Sequence, residues 1–353
     1  MTSMFSVLAL SLLSLLQSNN PVELLFIGDA MQHMAQITAA SRGDGTYDYS
    51  QCFALIEDEV RAADYAVVNL EVTLGGKPYS GYPCFSAPDS YARQLRDSGF
   101  DLFLTANNHC LDTRDRGLAR TIATLDSLGV PHLGTYVNAT ERARLMPHIT
   151  TIRGIRFAFI NYTYDTNGIT VQRDAVVDYI DRDLIARDVK AARDAGAQVI
   201  VACMHWGIEY TLVPVQEQRD LADFLVDQGV DLIIGGHPHV VEPMEVRHSD
   251  RYNKDVLLVY SLGNFISNMN DPDCRGGAWV KVGVAMMGDK PVIINPRYQL
   301  FFCQKPTGST NYMVIPEPMR DKVTPGQRDA FDRFMTRAHS MAMDKNIGVP
   351  QQQ

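Results

Sequence analysis

Two histidines two residues apart give the strongest chemical signal in the 353-residue sequence. His237 and His239 lie in the segment Gly-Gly-His-Pro-His, directly after the apolar run Val230–Gly236. In extended chain, side chains at positions i and i+2 point the same way, and glycines let the backbone approach a neighbouring group closely. Paired imidazoles of this kind are typical metal ligands. The segment therefore favours metal binding over a purely structural turn.

Further polar side chains follow other apolar runs, and most are of a type that binds metals or moves protons. They are Asp29 after residues 22–27, Glu71 after 65–70, Asn107, Asn108 and His109 after 100–106, His205 after 198–204, and Asn264 after 256–262. Taken singly, Asp29 can equally cap a helix and Glu71 can pair with an arginine. Asp112 either orients His109 by accepting its ring N–H or caps the following helix. The recurrence at six strand ends favours one shared site.

The apolar runs alternate with segments of helical periodicity, and this alternation predicts an α/β fold. The runs are rich in Val, Ile, Leu and Phe and are bounded by glycine or proline, as expected of strands buried on both faces. Helices are predicted over Ser50–Ala63, Arg116–Gly129, Asp183–Gly196 and Gln216–Gly229. In such folds ligands bind beyond the carboxyl ends of the strands, where all the polar clusters fall.

After residue 268 the pattern changes to longer strand-like segments joined by turns. The segments AWVKVGVAMMG and PVIINPRYQLFFCQ predict antiparallel strands that close a sheet edge, and a last helix is predicted over Gln327–Met343. We therefore expect residues 269–353 to complete the same domain as residues 22–268.

Composition and charge argue against several classes of function. The chain is 46% hydrophobic and 21% charged, as is typical of a globular protein with a large core. Its net charge of −9 is spread without a basic stripe, so nucleic acid is not expected as a partner. No P-loop, G-x-G-x-x-G or G-x-S-x-G is present, which disfavours nucleotide binding and serine hydrolase chemistry. Six cysteines occur without a C-x-x-C pair, which leaves disulfides open.

Residues 1–20 resemble a signal peptide. An apolar stretch runs from Met4 to Leu16, but no Lys or Arg precedes it and no clear small-x-small cleavage site follows. The stretch is too short for a comfortable membrane span. We expect an exported protein, in the periplasm or at the cell surface, with membrane association through the N-terminus as a further option. The competing interpretation is an amphipathic or mis-started N-terminus.

Six ordered motifs resemble those of the CapA, or PGA-cap, family, which is named for poly-γ-glutamate capsule synthesis. They are LLFIGDAM, NLEVTL, LTANNHCLD, MHWGIEY, IIGGHPHVVEPMEV and VYSLGNF, spread over residues 22–268. That family is similar in fold to the calcineurin-like metallophosphoesterases. The resemblance implies two mixed β-sheets sandwiched between helices, a four-layer α/β/β/α architecture. It also implies one or two divalent metal ions, Mn, Zn, Fe or Mg, at the strand ends.

Carried over position by position, the resemblance gives each candidate residue a role. The first metal would be bound by Asp29 and His239, the second by Asn108, His205 and His237, with Glu71 as a bridge; His109, with Asp112, would protonate the leaving oxygen or nitrogen. Two positions depart from the superfamily pattern. Met31 stands where the histidine of an Asp-x-His motif is expected, and Glu71 is one methylene longer than the usual aspartate.

Those departures leave two alternatives open. A single-metal site would use Asn108, His205 and His237 with Glu71. His33 either reaches back toward the site or lies at the surface.

The function that the resemblance implies is a metal-dependent hydrolase of the cell envelope. Its substrate would be an anionic polymer amide, as in poly-γ-glutamate, or a phosphoester, and its partner a capsule-synthesis complex. A polyanion requires local positive charge, for which Arg114, Arg116 and Arg120 are weak candidates. The main alternative is a non-catalytic protein that holds the polymer within a synthesis or export complex. A cytoplasmic phosphatase is the third, if the N-terminus is not a signal.

Overall fold

Parallel strands from the N-terminal half form the centre of an eight-stranded sheet. In the computed structural model, which describes residues 21–308 and 310–353, its strands are β1 (Val22–Ala30), β2 (Tyr65–Leu70), β3 (Leu102–Leu104), β4 (His132–Leu133), β13 (Asn264–Ile266), β14 (Gly276–Met287), β15 (Lys290–Gln304) and β16 (Met313–Pro316). Their order is β16-β15-β14-β1-β2-β3-β4, and β13 pairs with β1. Strands β1 to β4 are parallel, whereas β14, β15 and β16 are antiparallel, as predicted for this part of the chain.

The second large sheet has six strands from the middle of the chain. They are β6 (His148–Ile152), β7 (Ile155–Thr163), β9 (Val199–His205), β10 (Leu232–Gly236), β11 (Met244–Ser249) and β12 (Lys254–Val259), in the order β11-β12-β10-β9-β7-β6. The four central strands are parallel and the two edge strands antiparallel. A small third sheet pairs β5 (Thr135–Tyr136) with β8 (Val176–Val177).

Helices fill most of the connections between the strands. They are α1 (Met34–Ala40), α2 (Ser50–Phe53), α3 (Glu57–Ala62), α4 (Asp89–Asp97), α5 (Arg114–Leu128), α6 (Ala139–Leu145), α7 (Arg182–Asp194), α8 (Gln216–Asp227) and α9 (Arg328–Met341). Short 3₁₀ helices occupy Pro272–Cys274, Glu317–Lys322, Pro325–Gln327 and Met343–Lys345. The single helix predicted over Ser50–Ala63 is wrong, because a turn at residues 54–56, which buries Ile56, divides it into α2 and α3.

Three apolar layers explain why the strands are apolar on both faces. In β1, Leu24 and Phe26 pack between the two sheets against residues such as Phe157 of β7. Leu25 of β1 points the other way, into the layer under α4. The outer face of the six-stranded sheet is covered by α7 and α8. The predicted four-layer α/β/β/α architecture is therefore confirmed.

One further expectation, the signal segment, concerns the compartment of the protein. The predicted signal segment, residues 1–20, lies outside the described residues. Within the described part, no helix is both long and apolar enough to cross a membrane. The six cysteines all fall in that part, where they are free thiols, and Cys84 is the exposed one.

Candidate metal centre

The predicted ligands lie together at the carboxyl ends of strands from both sheets. Three lie in or after strands of the eight-stranded sheet and three in or after strands of the six-stranded sheet: Asp29 in β1, Glu71 after β2, Asn108 after β3, His205 at the end of β9, and His237 and His239 after β10. All six are between 0% and 2% exposed. Parallel strands end at the same edge of a sheet, and the packing of the two sheets brings both edges together.

A bulge in β1 aims Asp29 into the site. Ile27 pairs with Val68 but Asp29 pairs with Asn69, so Gly28 is an extra residue in the ladder. The extra residue puts Asp29 on the inner face, which faces the second sheet, because a bulge changes which way the following side chain points. Only glycine fits at position 28, since a Cβ atom there would lie 1.9 Å from the carbonyl oxygen of Gly263.

The side chain of Glu71 occupies the centre of the cluster. Its Oε1 atom lies 3.7 Å from Nε2 of His205 and 3.8 Å from Nε2 of His239. Within residues 21–308 and 310–353, neither carboxylate oxygen has a hydrogen-bond partner. Burial, reinforced by the nearby Asp29 carboxylate, raises the pKa of Glu71 well above its usual range. An isolated buried carboxylate is unfavourable, and a cation is the partner that it lacks.

Asp29, Glu71 and His239 form one group of potential ligands. Their ligand atoms all lie within 4.8 Å of one another. Oδ2 of Asp29 is 3.3 Å from Nδ1 of His239 and accepts a hydrogen bond from the backbone N–H of His237, at 3.2 Å. Burial by itself would raise the pKa of Asp29, but the contact with His239 and the nearby His205 lower it overall. Asp29 is thus held as an anion.

Glu71, His205 and His237 form a second group with the same spacing. Oδ1 of Asn108 lies 2.9 Å from Nε2 of His205, so the amide oxygen shares this position. Burial lowers the pKa of His205 to about 3 and also depresses the pKa of His237. Both rings are therefore neutral near pH 7, which is the form that binds metals.

The donor set fits a divalent transition metal. It combines carboxylate and amide oxygens with neutral imidazole nitrogens, a mixture that suits Zn, Mn or Fe. Among the residues that the structure describes, the oxygens of Glu71 and the Nδ1 atom of His237 have no hydrogen-bond partner, which leaves them available to an ion. Glu71 belongs to both groups.

His109 is held beside the cluster by Asp112. Nδ1 of His109 and Oδ2 of Asp112 are 2.8 Å apart, and the same oxygen accepts the backbone N–H of Phe85 at 2.6 Å. Burial raises the pKa of Asp112, and the contact with His109 opposes that rise. The alternative that Asp112 caps the next helix does not hold, since Thr113 occupies the N-cap of α5. Asp112 instead contacts Nδ1 and so orients the ring of His109, and Nε2 is the ring nitrogen that Asp112 does not contact.

Comparison with known proteins shows the family to which the chain belongs. The family model described as bacterial capsule synthesis protein PGA_cap matches residues 23–269. The chain belongs to this family. In Bacillus subtilis, a protein named PGA biosynthesis protein CapA is 25% identical over 79% of this chain and 72% of its own length. In Bacillus anthracis, a capsule biosynthesis protein CapA is 24% identical over 71% of this chain and 61% of its own length.

Solved structures support the fold of this PGA_cap protein. The NAD nucleotidase of Haemophilus influenzae superposes with a TM-score of 0.52 over 94% of this chain, at 14% sequence identity. The superposition spans 64% of the nucleotidase, so the chain covers less than two thirds of that protein. At this level of identity the likeness concerns the fold alone. The metallophosphoesterase-like fold implied by the motifs is confirmed.

The two departures of this PGA_cap protein from the superfamily pattern have different outcomes. Met31 is 1% exposed and packs in the apolar layer outside the eight-stranded sheet, so its thioether does not join the ligand groups. Glu71, although longer than aspartate, lies within 3.8 Å of both His205 and His239. His33 is half-buried and belongs to none of the three ligand groups found among the described residues. Its ring bonds with Gln36 at the start of α1, and burial lowers its pKa to about 4.

Two residues at the centre were absent from the sequence-based prediction. Asn69 of β2 donates to Oδ1 of Asp29 at 2.8 Å and lies 3.4 Å from Nδ1 of His205. Glu209 forms a third group with His237 and His239, again within 4.8 Å. A signal existed for each, since Asn69 interrupts an apolar strand and Glu209 lies in the motif MHWGIEY.

The backbone is strained where the histidines enter the centre. His237 has φ +101°, His239 has φ +60° and Tyr210 has φ +65°, all in the region that favours glycine. Side chains held in such conformations cluster at functional sites, because the surrounding structure must compensate for their cost. The strained conformations at His237 and His239 are the ones that place both imidazoles in the centre.

Of the three arginines considered for a polyanion, Arg120 is already engaged. Its guanidinium forms two hydrogen bonds with the carboxylate of Asp89, at 2.7 and 2.8 Å, and also bonds the carbonyl of Leu74. Arg120 therefore fixes the loop before α4 and is not a free cation for a polymer.

Proposed function

We propose that this PGA_cap protein is a metal-dependent hydrolase of the cell envelope that cleaves an amide of a γ-glutamyl polymer or a phosphoester. The observation that carries the proposal is Glu71, a fully buried carboxylate without a hydrogen-bond partner among the described residues, 3.7 and 3.8 Å from the imidazoles of His205 and His239. A carboxylate kept in such a place is typical of a ligand shared by metal ions.

The chain would hold the metals through two sets of side chains. Asp29, Glu71 and His239 form one set, and Glu71, His205 and His237, with the amide oxygen of Asn108, form the other. When bound, divalent metals supply Lewis-acid polarisation of the attacked phosphoryl or carbonyl group and a nucleophile active at neutral pH. The burial of all these side chains excludes bulk water, which strengthens electrostatic interactions there.

His109 is the residue that would deliver the proton to the leaving group. Asp112 accepts the N–H at Nδ1, and this fixes the tautomer and the ring orientation. When the ring is doubly protonated, Nε2 carries the second proton, which is the one that would pass to the leaving group. Since an amine is a poor leaving group unless protonated, this function matters most for amide cleavage.

The choice of substrate follows the family. The two Bacillus relatives carry names that refer to PGA and to capsule biosynthesis. We extend that role to this chain, together with export through residues 1–20 and association with a capsule-synthesis complex. Nucleic acid is not proposed, because the sequence has no basic stripe that would neutralise a row of phosphates.

One observation favours a second function, that of a non-catalytic polymer carrier. Met31 is packed into the apolar layer, so the first ligand group contains three side chains, Asp29, Glu71 and His239. A weak first centre would allow the site to bind a polymer without cleaving it.

The test combines metal content with hydrolysis. The purified protein, prepared without chelator, is analysed by mass spectrometry for metals and assayed on an aryl phosphate and on poly-γ-glutamate. His237→Ala is compared with His248→Ala, which changes a histidine that is half-exposed on β11. We expect bound metal and hydrolysis in the parent and in His248→Ala, and loss of one metal equivalent and of hydrolysis in His237→Ala. Metal without hydrolysis of either substrate would support the carrier instead, and absence of metal would remove the enzyme proposal.

A further inference from the structure

The first ligand group, Asp29, Glu71 and His239, has no ligand from position 31, where the superfamily pattern has a histidine and this chain has Met31. Asp29, Glu71 and His239 are buried together, while the side chain of Met31 lies in the apolar layer on the other face of the sheet. Three protein ligands leave an ion with open positions, which is compatible with catalysis, but a site this buried is also sensitive to the loss of one ligand. A replacement should therefore come from another element near His239.

Glu209 lies where such a replacement is needed. Its Oε1 atom is 3.9 Å from Nε2 of His239, and it forms a close group with His237 and His239. Metal–ligand bonds of about 2.0–2.2 Å allow two ligand atoms of one ion to be up to about 4.4 Å apart. The observed separation falls within that limit. Glu209 is thus near the histidine of each ligand group, as Glu71 is on the buried side.

The segment that carries Glu209 is anchored on both sides. The backbone N–H of Tyr210 donates to the carbonyl of Pro238 at 2.8 Å, which ties the segment to the two histidines. Gly207, with φ +88°, packs directly on the amide of Gln218, where a Cβ atom would come within 2.8 Å. Gln218 in turn donates to Glu242 at 2.8 Å. The carboxylate of Glu209 is 38% exposed, yet its backbone is fixed relative to the centre.

We propose that Glu209 is a metal ligand of this centre and takes the coordinating role that Met31 cannot fill. Its carboxylate enters from the connection after β9, so it approaches from the open side of the site while Glu71 approaches from within. This inference rests on the proposed metal-dependent function and adds a ligand to it. It also makes the segment 207–210 part of the metal site.

The test measures metal binding directly. Chelator-treated protein is titrated with Mn²⁺ by calorimetry and with Co²⁺ by visible absorption, for the parent, Glu209→Gln and Glu217→Gln. Glu217 is a matched control because it is an exposed glutamate at the start of α8. Glutamine keeps the size of the side chain and removes the anionic ligand. Thermal unfolding of the metal-free proteins shows whether each variant is folded.

We expect Glu209→Gln to bind one equivalent at least about tenfold more weakly than the parent and to alter the Co²⁺ spectrum, because one oxygen ligand is lost. Glu217→Gln should match the parent in both measurements. If Glu209→Gln binds Mn²⁺ and Co²⁺ like the parent, Glu209 is not a ligand although the metal centre stands. If the folded parent binds neither ion, the inference and the proposed function both fail. If metal binds and responds to Glu209 but no substrate is cleaved, only the hydrolase proposal fails.

Discussion

The two large sheets contribute different chemistry to the same centre. The eight-stranded sheet brings oxygen donors, Asp29, Glu71 and Asn108, whereas the six-stranded sheet brings the three imidazoles of His205, His237 and His239. Two of the three ligand groups combine both sheets. The third, with Glu209, His237 and His239, comes entirely from connections of the six-stranded sheet.

This division shows why the centre is coupled to the fold. Carboxylates buried without a cation raise the free energy of the folded protein, and burial also disfavours the charged forms of His205 and His237. Each sheet alone would expose its half of the ligands to water. Packing the sheets together creates a place in which the carboxylates of one half and the ring nitrogens of the other can bind one divalent ion.

The largest effect is expected from Glu71→Gln, which removes the oxygen donor common to both mixed groups. We expect the metal affinity to fall by about 1000-fold or more, because even the groups that only hydrogen-bond to metal ligands contribute about 10–100-fold each. Calorimetric titration with Mn²⁺ measures it. The metal-free variant should unfold at no lower temperature than the parent, since glutamine replaces a buried acid of equal size. An undiminished affinity for Mn²⁺ would show that Glu71 is not a ligand common to the two groups.

Removing one imidazole should separate the two mixed groups. His205→Ala takes a nitrogen from the group with Glu71 and His237 but leaves Asp29, Glu71 and His239 in place. We expect the affinity for one metal equivalent to fall by at least about 100-fold, which is the upper end of the range for groups that orient ligands. The affinity for the other equivalent should persist. Metal content per folded chain distinguishes the outcomes. Loss of both equivalents at once would mean that the centre behaves as a single unit.

A buried acid of the six-stranded side provides a contrast, because it has an amide partner instead of imidazoles. Glu242 is 0% exposed, accepts a hydrogen bond from Gln218 at 2.8 Å, and has its pKa raised by burial to about 8. The folded protein therefore binds a proton here that the unfolded chain has released above about pH 4.5. This contribution to stability is complete below that pH and is lost as pH rises toward 8.

Glu242→Gln should abolish that pH dependence. Between pH 6 and 8 the free energy of unfolding of the parent should fall relative to the variant by about 2–3 kcal/mol, at about 1.4 kcal/mol per pH unit. Urea unfolding of both proteins at several pH values, in the presence of chelator, measures the difference. Parallel pH profiles for the two proteins would show that Glu242 keeps an ordinary pKa.

The smallest effect is expected at Asn69, which contacts both sides without serving as a ligand. Its amide donates to Asp29 and lies against His205, so Asn69→Ala frees both side chains to move. We expect metal affinity to fall by about tenfold, at the lower end for groups that orient ligands. Calorimetry with Mn²⁺ provides the value. A loss as large as that of Glu71→Gln would indicate that Asn69 binds metal itself.

The motifs that follow buried strands were enough to predict the fold class and six buried side chains of the centre. Apolar runs ending in Asp29, Glu71, Asn108 and His205, and the glycine-bounded pair of histidines, can be read locally because strands buried on both faces have a distinctive composition. The break between α2 and α3 has no such local signal, since residues 50–63 keep a helical periodicity that the burial of Ile56 overrides.

Only the tertiary structure decided how these residues are used. The bulge at Gly28 that turns Asp29 inward depends on contact with Gly263, which lies far along the chain. The proximity of Glu209 to His239 depends on the anchoring of its segment to Pro238. Sequence periodicity reports which residues are buried, but distances between separate strands arise from sheet packing. The sequence by itself therefore determined the fold and the kinds of donor, and the packing of two sheets decided their partners.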